Sequence, residues 1–129
     1  MKQFLMAIAA LVLCACAGTY TPDPNTPHGE APYIEIAGEI ATPVERKACE
    51  AAGGTVQRAG LRGWENCVIP FADGGKVCSD NSECQGQCRY TGDWPPTGKV
   101  TGLCQKDNMP FGCYSEMQGG KPTPMLCVD

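Results

Sequence analysis

The stretch that decides the fold is Cys78-Ser-Asp-Asn-Ser-Glu-Cys84-Gln-Gly-Gln-Cys88, the densest cysteine cluster of the chain. The segment is too short for much regular structure, so we expect a cross-linked loop. The whole chain has 10 cysteines among 129 residues, close to the level typical of a disulfide scaffold. With 16 glycines and 11 prolines it also has many turn-forming residues. We therefore expect a small disulfide-rich α+β fold with one short helix, β-hairpins and cross-linked loops.

Beyond the first forty residues, the cysteines form an even set that can close into disulfide bonds: Cys49, Cys67, Cys78, Cys84, Cys88, Cys104, Cys113 and Cys127. Eight cysteines allow 105 pairings, and the sequence alone does not choose between them. We favour Cys49–Cys67 and Cys113–Cys127. The pairing of the middle four stays open, with a slight preference for Cys78–Cys88 and Cys84–Cys104. A core this small rarely supplies more than ~3–5 kcal/mol, and each native disulfide adds ~2–4 kcal/mol, so we expect reduction to unfold the domain.

On the N-terminal side of the cluster, the sequence predicts a helix and then a hairpin. Thr42-Pro43-Val44-Glu45 is a helix start, because Thr42 can cap the free N–H groups, proline suits the first helical position and Glu45 completes a capping box. Gly53-Gly54 ends the helix, which gives a span of 43–52. Two β-prone runs around a glycine-flanked turn then predict a hairpin. These runs are Thr55–Ala59 and Trp64–Ile69, and further candidate strands cover 98–104 and 112–117.

The first residues, MKQFLMAIAALVLCAC, have the organisation of an export signal. Lys2 supplies the positive start, and Phe4 to Leu13 forms an apolar run. This run is shorter than the roughly 20 residues that cross a bilayer, but it has the length of a signal-peptide hydrophobic region.

Leu13-Cys14-Ala15-Cys16 resembles the lipobox of bacterial lipoproteins, although Cys14 stands where a small residue such as Ala or Ser is commoner. The resemblance implies diacylglycerol on the Cys16 sulfur, cleavage before Cys16 and N-acylation, for example with palmitate. Ala17 in place of Asp implies sorting to the outer membrane of a two-membrane cell. The alternative is a plain secretory signal without lipid.

Residues 17–41 predict a stalk, because Pro22, Pro24, Pro27 and Pro32 favour an extended, semi-rigid path. The only histidine, His28, lies within it and is expected to be exposed. Tyr33 to Ile36 alternates apolar and polar residues, which is typical either of an edge strand or of an unstructured approach to the domain. The expected organisation is a signal peptide over 1–15, a lipidated cysteine and stalk over 16–41, and a disulfide-stapled domain over 42–129.

Several function classes are disfavoured by composition. A net charge of −4 with scattered basic residues argues against a nucleic-acid partner. The domain has no histidine and no Gly-x-Ser-x-Gly motif, so we expect no enzyme and no catalytic residues. The absence of a C-x2-C pair and the oxidising compartment of an exported chain disfavour structural zinc. We accordingly expect no metal and no cofactor.

One segment is a candidate recognition loop, because Trp94-Pro95-Pro96 lies between turn residues in the stretch from Cys88 to Cys104. A constrained loop with an aromatic tip suits recognition, since tryptophan offers a large contact area. The alternative, which we favour, is that Trp94 folds back over a disulfide. Three further aromatic residues are expected in the core: Trp64, Phe111 and Tyr114.

Two resemblances concern the domain itself. Cys49-x3-Gly53-Gly54…Cys67-x2-Pro70 resembles a pattern of short, uncharacterised cysteine-rich bacterial lipoproteins. Cys78-x5-Cys84-x3-Cys88 is similar to small loops of extracellular modules, including protease-inhibitor cores, but lacks the adjacent Cys-Cys of the whey-acidic type. Neither resemblance implies an activity.

The functional hypothesis is therefore an envelope lipoprotein, held to the membrane by its lipid, whose domain binds a protein partner. One alternative is an inhibitor of an exported hydrolase, and the other is a structural envelope lipoprotein without a specific ligand.

Overall fold

A computed structural model describes residues 33–129, and the export signal, the lipobox with Cys16, and His28 lie outside these residues. The elements in chain order are α1 (Pro43–Ala51), β1 (Thr55–Ala59), β2 (Trp64–Val68), β3 (Val77–Cys78), a 3₁₀ turn (Asn81–Glu83), β4 (Cys88–Tyr90), β5 (Gly102–Cys104), β6 (Gly112–Gln118), β7 (Lys121–Pro122) and β8 (Leu126–Val128). The expected small disulfide-rich α+β fold is confirmed. No helix within this part of the chain has the length and apolar character needed to cross a membrane.

Helix α1 begins with the predicted capping box. The Glu45 N–H donates to Thr42 Oγ1 at 3.3 Å, and the Thr42 N–H donates to Glu45 Oε2 at 2.7 Å. The helix ends at Ala51, one residue before the predicted end, and Gly53 takes a positive φ of 79° that ordinary side chains disfavour. Local sequence alone thus sets both ends of the helix.

The predicted hairpin is confirmed as the antiparallel pair β1–β2, with Thr55 opposite Val68 and Ala59 opposite Trp64. The Cys49–Cys67 bond fastens α1 to its second strand. Both of these cysteines and Ile69 are buried and form a small core of their own. The N-terminal part of the domain is therefore a helix on a hairpin, joined covalently.

The larger sheet has the strand order β3-β5-β4-β6-β7, and β8 also pairs with β6; the five strand pairs are all antiparallel. Because side chains alternate between the faces of a strand, each strand separates two sets of residues. One face carries Cys78, Cys88, Cys104 and Met117, which are buried. The other, which we call the outer face, carries the register row Val77, Leu103, Arg89 and Glu116.

Sulfur fills the core of this sheet. The buried cluster consists of Cys78, Cys84, Cys88, Cys104 and Met117, each no more than 4% exposed. Its disulfide bonds are Cys78–Cys88 and Cys84–Cys104, and the remaining bond is Cys113–Cys127. With Cys49–Cys67, these are the four pairings that the sequence analysis favours, so that expectation is confirmed. Cys113 and Cys127 differ from the rest because they are exposed.

Residues near the N-terminal boundary of the domain do not form a strand. Ile34 and Ile36 instead pack against the Cys49–Cys67 core, which explains their spacing of two. The Ala41 N–H donates to Glu65 Oε2 at 2.8 Å, and Ala41 is buried. The end of the predicted stalk, residues 34–41, thus contacts the domain.

Two expectations about the larger sheet need correction. Of residues 98–104 only the last three form a strand, because the preceding stretch forms bends and loop. The second predicted strand reaches Gln118, one residue beyond its expected end at 117.

The expectation that Trp64 belongs to the core is wrong, because 38% of its surface is exposed. Trp64 lies at the turn end of β2, and the Arg62 guanidinium covers its ring at 5.0 Å. Tyr114, by contrast, is buried as predicted, and Phe111 is partly buried.

Candidate functional site

A groove of about 560 Å³ lies where the hairpin meets the outer face of the larger sheet; we call it the inter-sheet groove. The hairpin, the sheet and the connection between β5 and β6 all contribute side chains to it. The main lining residues are Gln57, Ala59 and Val68 from the hairpin, Arg89 and Leu103 from the sheet, and Lys106, Met109 and Phe111 from the connection. The groove is mixed in character, with apolar walls, two cationic residues, Arg89 and Lys106, and one acidic residue, Asp107.

The connection between β5 and β6 is held by its own polar residues. Gln105 Nε2 donates to the carbonyl oxygens of Asp107 at 2.6 Å and Met109 at 3.0 Å. The Phe71 N–H donates to the Lys106 carbonyl at 2.9 Å. Asn108 ties the same connection to the end of β2. The bonds of Phe71 and Asn108 cross between segments, so they fix this wall of the groove to the end of the hairpin and the residues that follow it.

Arg89 is the half-buried cation at the centre of this arrangement. Its guanidinium carbon lies 3.8 Å from the centre of the Tyr114 ring, a close cation–π contact. Its Nε donates to Gln87 Oε1 at 2.9 Å, and its Nη1 donates to the Met109 carbonyl at 3.4 Å. The side chain is therefore held on one face and at two of its nitrogen atoms.

The electrostatics of Arg89 follow from its burial. Desolvation lowers the pKa of Arg89 below its usual value, while Tyr114, Asp107 and Glu116 act in the opposite direction. A guanidinium nevertheless stays protonated in proteins, so the group remains a cation. A cation partly withdrawn from water gains from an anionic ligand more than an exposed one does.

Glu116, opposite Arg89 in the β4–β6 register, does not form an ion pair with it. The Gln87 amide lies between them, since its Oε1 accepts from Arg89 and its Nε2 donates to Glu116 Oε1 at 2.7 Å. Glu116 Oε2 accepts from Asn81 Nδ2 at 2.9 Å. Within residues 33–129, the only ion pair is Arg46–Glu65, far along the chain from this site. Arg89 thus keeps a charge that no carboxylate in the described residues contacts directly.

A second, smaller groove of about 230 Å³ adjoins the first through Arg89. It contains Gln87, Asn81 and Glu116, the polar network just described, together with Tyr114. Gln87 joins this network to the Arg89 guanidinium, which therefore has a fixed place between the two grooves.

The predicted recognition loop lies elsewhere. Trp94 is 43% exposed, and neither it nor Pro95 and Pro96 line the inter-sheet groove. The loop starts at the groove, because Thr91 lines it. The Tyr90 hydroxyl donates to the Asp93 carbonyl at 3.3 Å and so braces the first turn of the loop.

The hairpin tip is another exposed feature. Leu61 is 83% exposed, and a shallow groove of about 370 Å³ beside it includes Trp64, Asn66 and Phe111. Arg62 occupies one face of the Trp64 ring. That face is therefore not open for stacking against a ligand.

Sulfur atoms of the core also lie close together. The Sγ atoms of Cys78, Cys84 and Cys104 are within 4.8 Å of one another. Each of them is already bonded to a second sulfur, so the oxidised cluster has no thiolate to offer a metal ion. The cluster is accordingly a packing feature of the folded chain.

Arg89 was not among the residues singled out from the sequence. The one local signal is the run Cys88-Arg89-Tyr90, in which strand alternation places the arginine on the face opposite a buried cysteine. Comparison of the chain with protein-family models, with curated proteins and with solved structures gives no match.

Proposed function

We propose that the protein is a lipid-anchored lipoprotein of the cell envelope whose disulfide-stapled domain binds a partner in the inter-sheet groove. The observation that carries the binding role is the half-buried Arg89 guanidinium, held in place at the junction of two grooves without a contacting carboxylate within residues 33–129. A groove of about 560 Å³ with apolar walls and a few placed polar groups has the size and character of a ligand site.

The covalent framework supports this role. The Cys49–Cys67 bond braces the hairpin wall, and the Cys84–Cys104 bond holds the end of β5, whose Cys104 lines the groove. A groove between cross-linked walls loses little conformational entropy when it binds. We assign the domain a binding role rather than a catalytic one, because its sequence offers no histidine base.

The anchoring part of the proposal rests on Leu13-Cys14-Ala15-Cys16, with the outer membrane as the expected location. The test is the intact mass of the protein extracted from cell envelopes, measured before and after reduction and alkylation. We expect three acyl chains on a chain that begins at Cys16, and four disulfides. Cys16→Ser should abolish the lipid mass, whereas Cys14→Ser, the matched control, should keep it. An unacylated mature chain from the wild type would favour simple secretion.

The binding part can be tested by photo-cross-linking in intact cells. A photoreactive residue in place of Leu103, which is 48% exposed in the groove, is expected to give a discrete adduct that Arg89→Gln weakens. The same residue in place of Lys121, on β7, is the control and should give none. No adduct from either position would favour a structural lipoprotein without a ligand.

A second candidate, inhibition of an exported hydrolase through the 91–98 loop, is favoured by the exposure of Trp94. It predicts inhibition of proteases or muramidases at micromolar concentration that Trp94→Ala abolishes. Adducts from a photoreactive residue at position 94, but not at 103, would indicate that this loop, and not the inter-sheet groove, is the binding site.

A further inference from the structure

We infer that the ligand of the inter-sheet groove is a carboxylate attached to an apolar group, as in a short peptide that presents a carboxylate beside an apolar side chain. This inference rests on the proposed binding function and names its ligand class. The juxtaposition that carries it is a fixed guanidinium, that of Arg89, beside an open apolar surface formed by Leu103, Met109 and Phe111.

The first step concerns the N–H groups of Arg89. A guanidinium has five N–H donors, and within residues 33–129 it bonds only Gln87 Oε1 and the Met109 carbonyl. The remaining donors are left for a ligand. Stacking on Tyr114 fixes the plane of the group, and a carboxylate matches two donors in that plane. A fixed fork of donors therefore selects a carboxylate over a neutral carbonyl.

The second step explains why the protein does not neutralise this cation itself. Both Glu116 oxygens are engaged by the side-chain amides of Asn81 and Gln87. Asp107 Oδ1, at the groove, accepts from the Met109 N–H at 3.0 Å. These carboxylates moderate the positive potential, but both Glu116 oxygens and Asp107 Oδ1 are bonded to N–H groups of their own surroundings. Lys106 adds a second positive charge to the same groove.

The third step concerns size and polarity. Leu103 is 48% exposed, although it lies in the middle of the register row between Val77 and Arg89. A ligand whose apolar group is bonded close to its carboxylate can contact the exposed leucine and the half-buried arginine at the same time. The volume of about 560 Å³ holds a few residues of peptide and excludes a folded domain.

The experiment measures binding by titration calorimetry with the purified acylated protein in detergent micelles. Three peptide probes separate the sources of the carboxylate. N-acetyl-Ala-Ala-Leu has a free C-terminus, its amide has no carboxylate, and N-acetyl-Ala-Glu-Leu-amide has only a side-chain carboxylate. We expect a carboxylate peptide to bind roughly tenfold or more tightly than the neutral amide, the scale of a charged hydrogen bond.

Variants assign the effect to the site. Arg89→Gln is expected to remove the preference for the carboxylate, and Arg89→Lys to keep part of it, because lysine retains charge without the fork. Arg62→Gln is the matched control, since Arg62 also lies over an aromatic ring but outside this groove. Its affinity should equal that of the wild type, and the melting temperature of each variant shows whether it is folded.

The outcomes separate this inference from the proposed function. If only the peptide with the free C-terminus binds, the ligand is a peptide C-terminus. If the glutamate peptide binds equally well, the groove accepts any carboxylate beside an apolar group. Equal affinity for acid and amide, unchanged in Arg89→Gln, would overturn the carboxylate inference and leave a groove that binds by apolar contact. If none of the three peptides binds but a discrete adduct still forms at position 103, the carboxylate inference is overturned and the proposed binding site stands. Failure of both experiments would overturn the inference and the groove as a binding site.

Discussion

Asn108 holds Ile69 through both backbone polar groups of the isoleucine. The Ile69 N–H donates to Asn108 Oδ1 at 2.8 Å, and the Asn108 N–H donates to the Ile69 carbonyl at 3.1 Å. Asn108 Nδ2 also donates to the Cys67 carbonyl at 3.1 Å. These bonds join the strand after the hairpin turn to the connection that forms one wall of the inter-sheet groove, across 39 to 41 residues of sequence.

Asn108→Ala is expected to lower the free energy of unfolding by roughly 1–3 kcal/mol, because the Ile69 N–H and the Cys67 carbonyl lose their partner while part-buried. Urea denaturation measures the loss. Asn66→Ala is the control, since within residues 33–129 the Asn66 side chain bonds only the carbonyl of Trp64 two residues away, in an exposed setting. Equal losses for the two variants would argue against a special role of Asn108 in joining the two parts.

The Cys113–Cys127 disulfide is expected to be reduced first under mild reducing conditions. Thiol–disulfide exchange requires access of the attacking thiolate, and Cys113 and Cys127 are exposed whereas the other paired cysteines are buried. Timed alkylation followed by peptide mass mapping gives the order. Prior labelling of Cys78 or Cys84 would contradict the prediction.

Gly54→Ala is expected to destabilise the domain by roughly 1–3 kcal/mol through overpacking. A Cβ there would lie 2.8 Å from Ile69 Cγ1 and 2.9 Å from the sulfurs of both Cys49 and Cys67, which cannot separate. Gly38→Ala is the control, because the nearest atom to its added Cβ is a backbone oxygen at 3.8 Å. Thermal denaturation should show a clear decrease only for Gly54→Ala.

Ser115→Ala is expected to leave stability unchanged or to raise it slightly. Ser115 is fully buried, and its hydroxyl has no hydrogen-bond partner among the described residues. Removal of an unbonded buried hydroxyl removes a desolvation cost. A melting temperature clearly below that of the wild type would contradict this expectation.

Acid is expected to weaken the fold below about pH 4.5. Hydrogen bonds lower the pKa of three carboxyls from 4.5: Glu45 through the Ala37 and Thr42 N–H groups, Glu65 mainly through Arg46, and Glu83 through Ser79. A depressed folded-state pKa gives stability that is present above the unfolded pKa and lost as pH falls through the folded one. Glu83 is exposed, and Glu45 and Glu65 are half-buried at the surface of the domain, so the effect should be modest and reduced by salt.

Urea midpoints across this pH window measure the loss. Glu65→Gln removes one of the three titrating groups, so its midpoint should depend less on pH than that of the wild type. An identical pH dependence in Glu65→Gln would show that the Arg46–Glu65 pair contributes nothing to acid sensitivity.

Features that depend on near neighbours in sequence were predictable. The capping box joins Thr42 to Glu45, three residues away, and the hairpin joins runs on either side of a short turn. A preference for the observed disulfide pairings could also be inferred from the sequence, since each bond spans between 10 and 20 residues. Short loops bring such cysteines together at small entropic cost.

The amino-acid sequence by itself determined the fold class, the helix and its ends, and the hairpin, because each follows from local backbone preference. It favoured the cysteine pairing through short loop closure but left the middle four cysteines open. Only the tertiary structure decided that Trp64 lies at the surface and that Arg89, Gln57 and Met109 meet in one groove. These three residues come from different strands and a distant connection. Their meeting depends on how the hairpin packs on the sheet, and no periodicity within a single segment reports that packing.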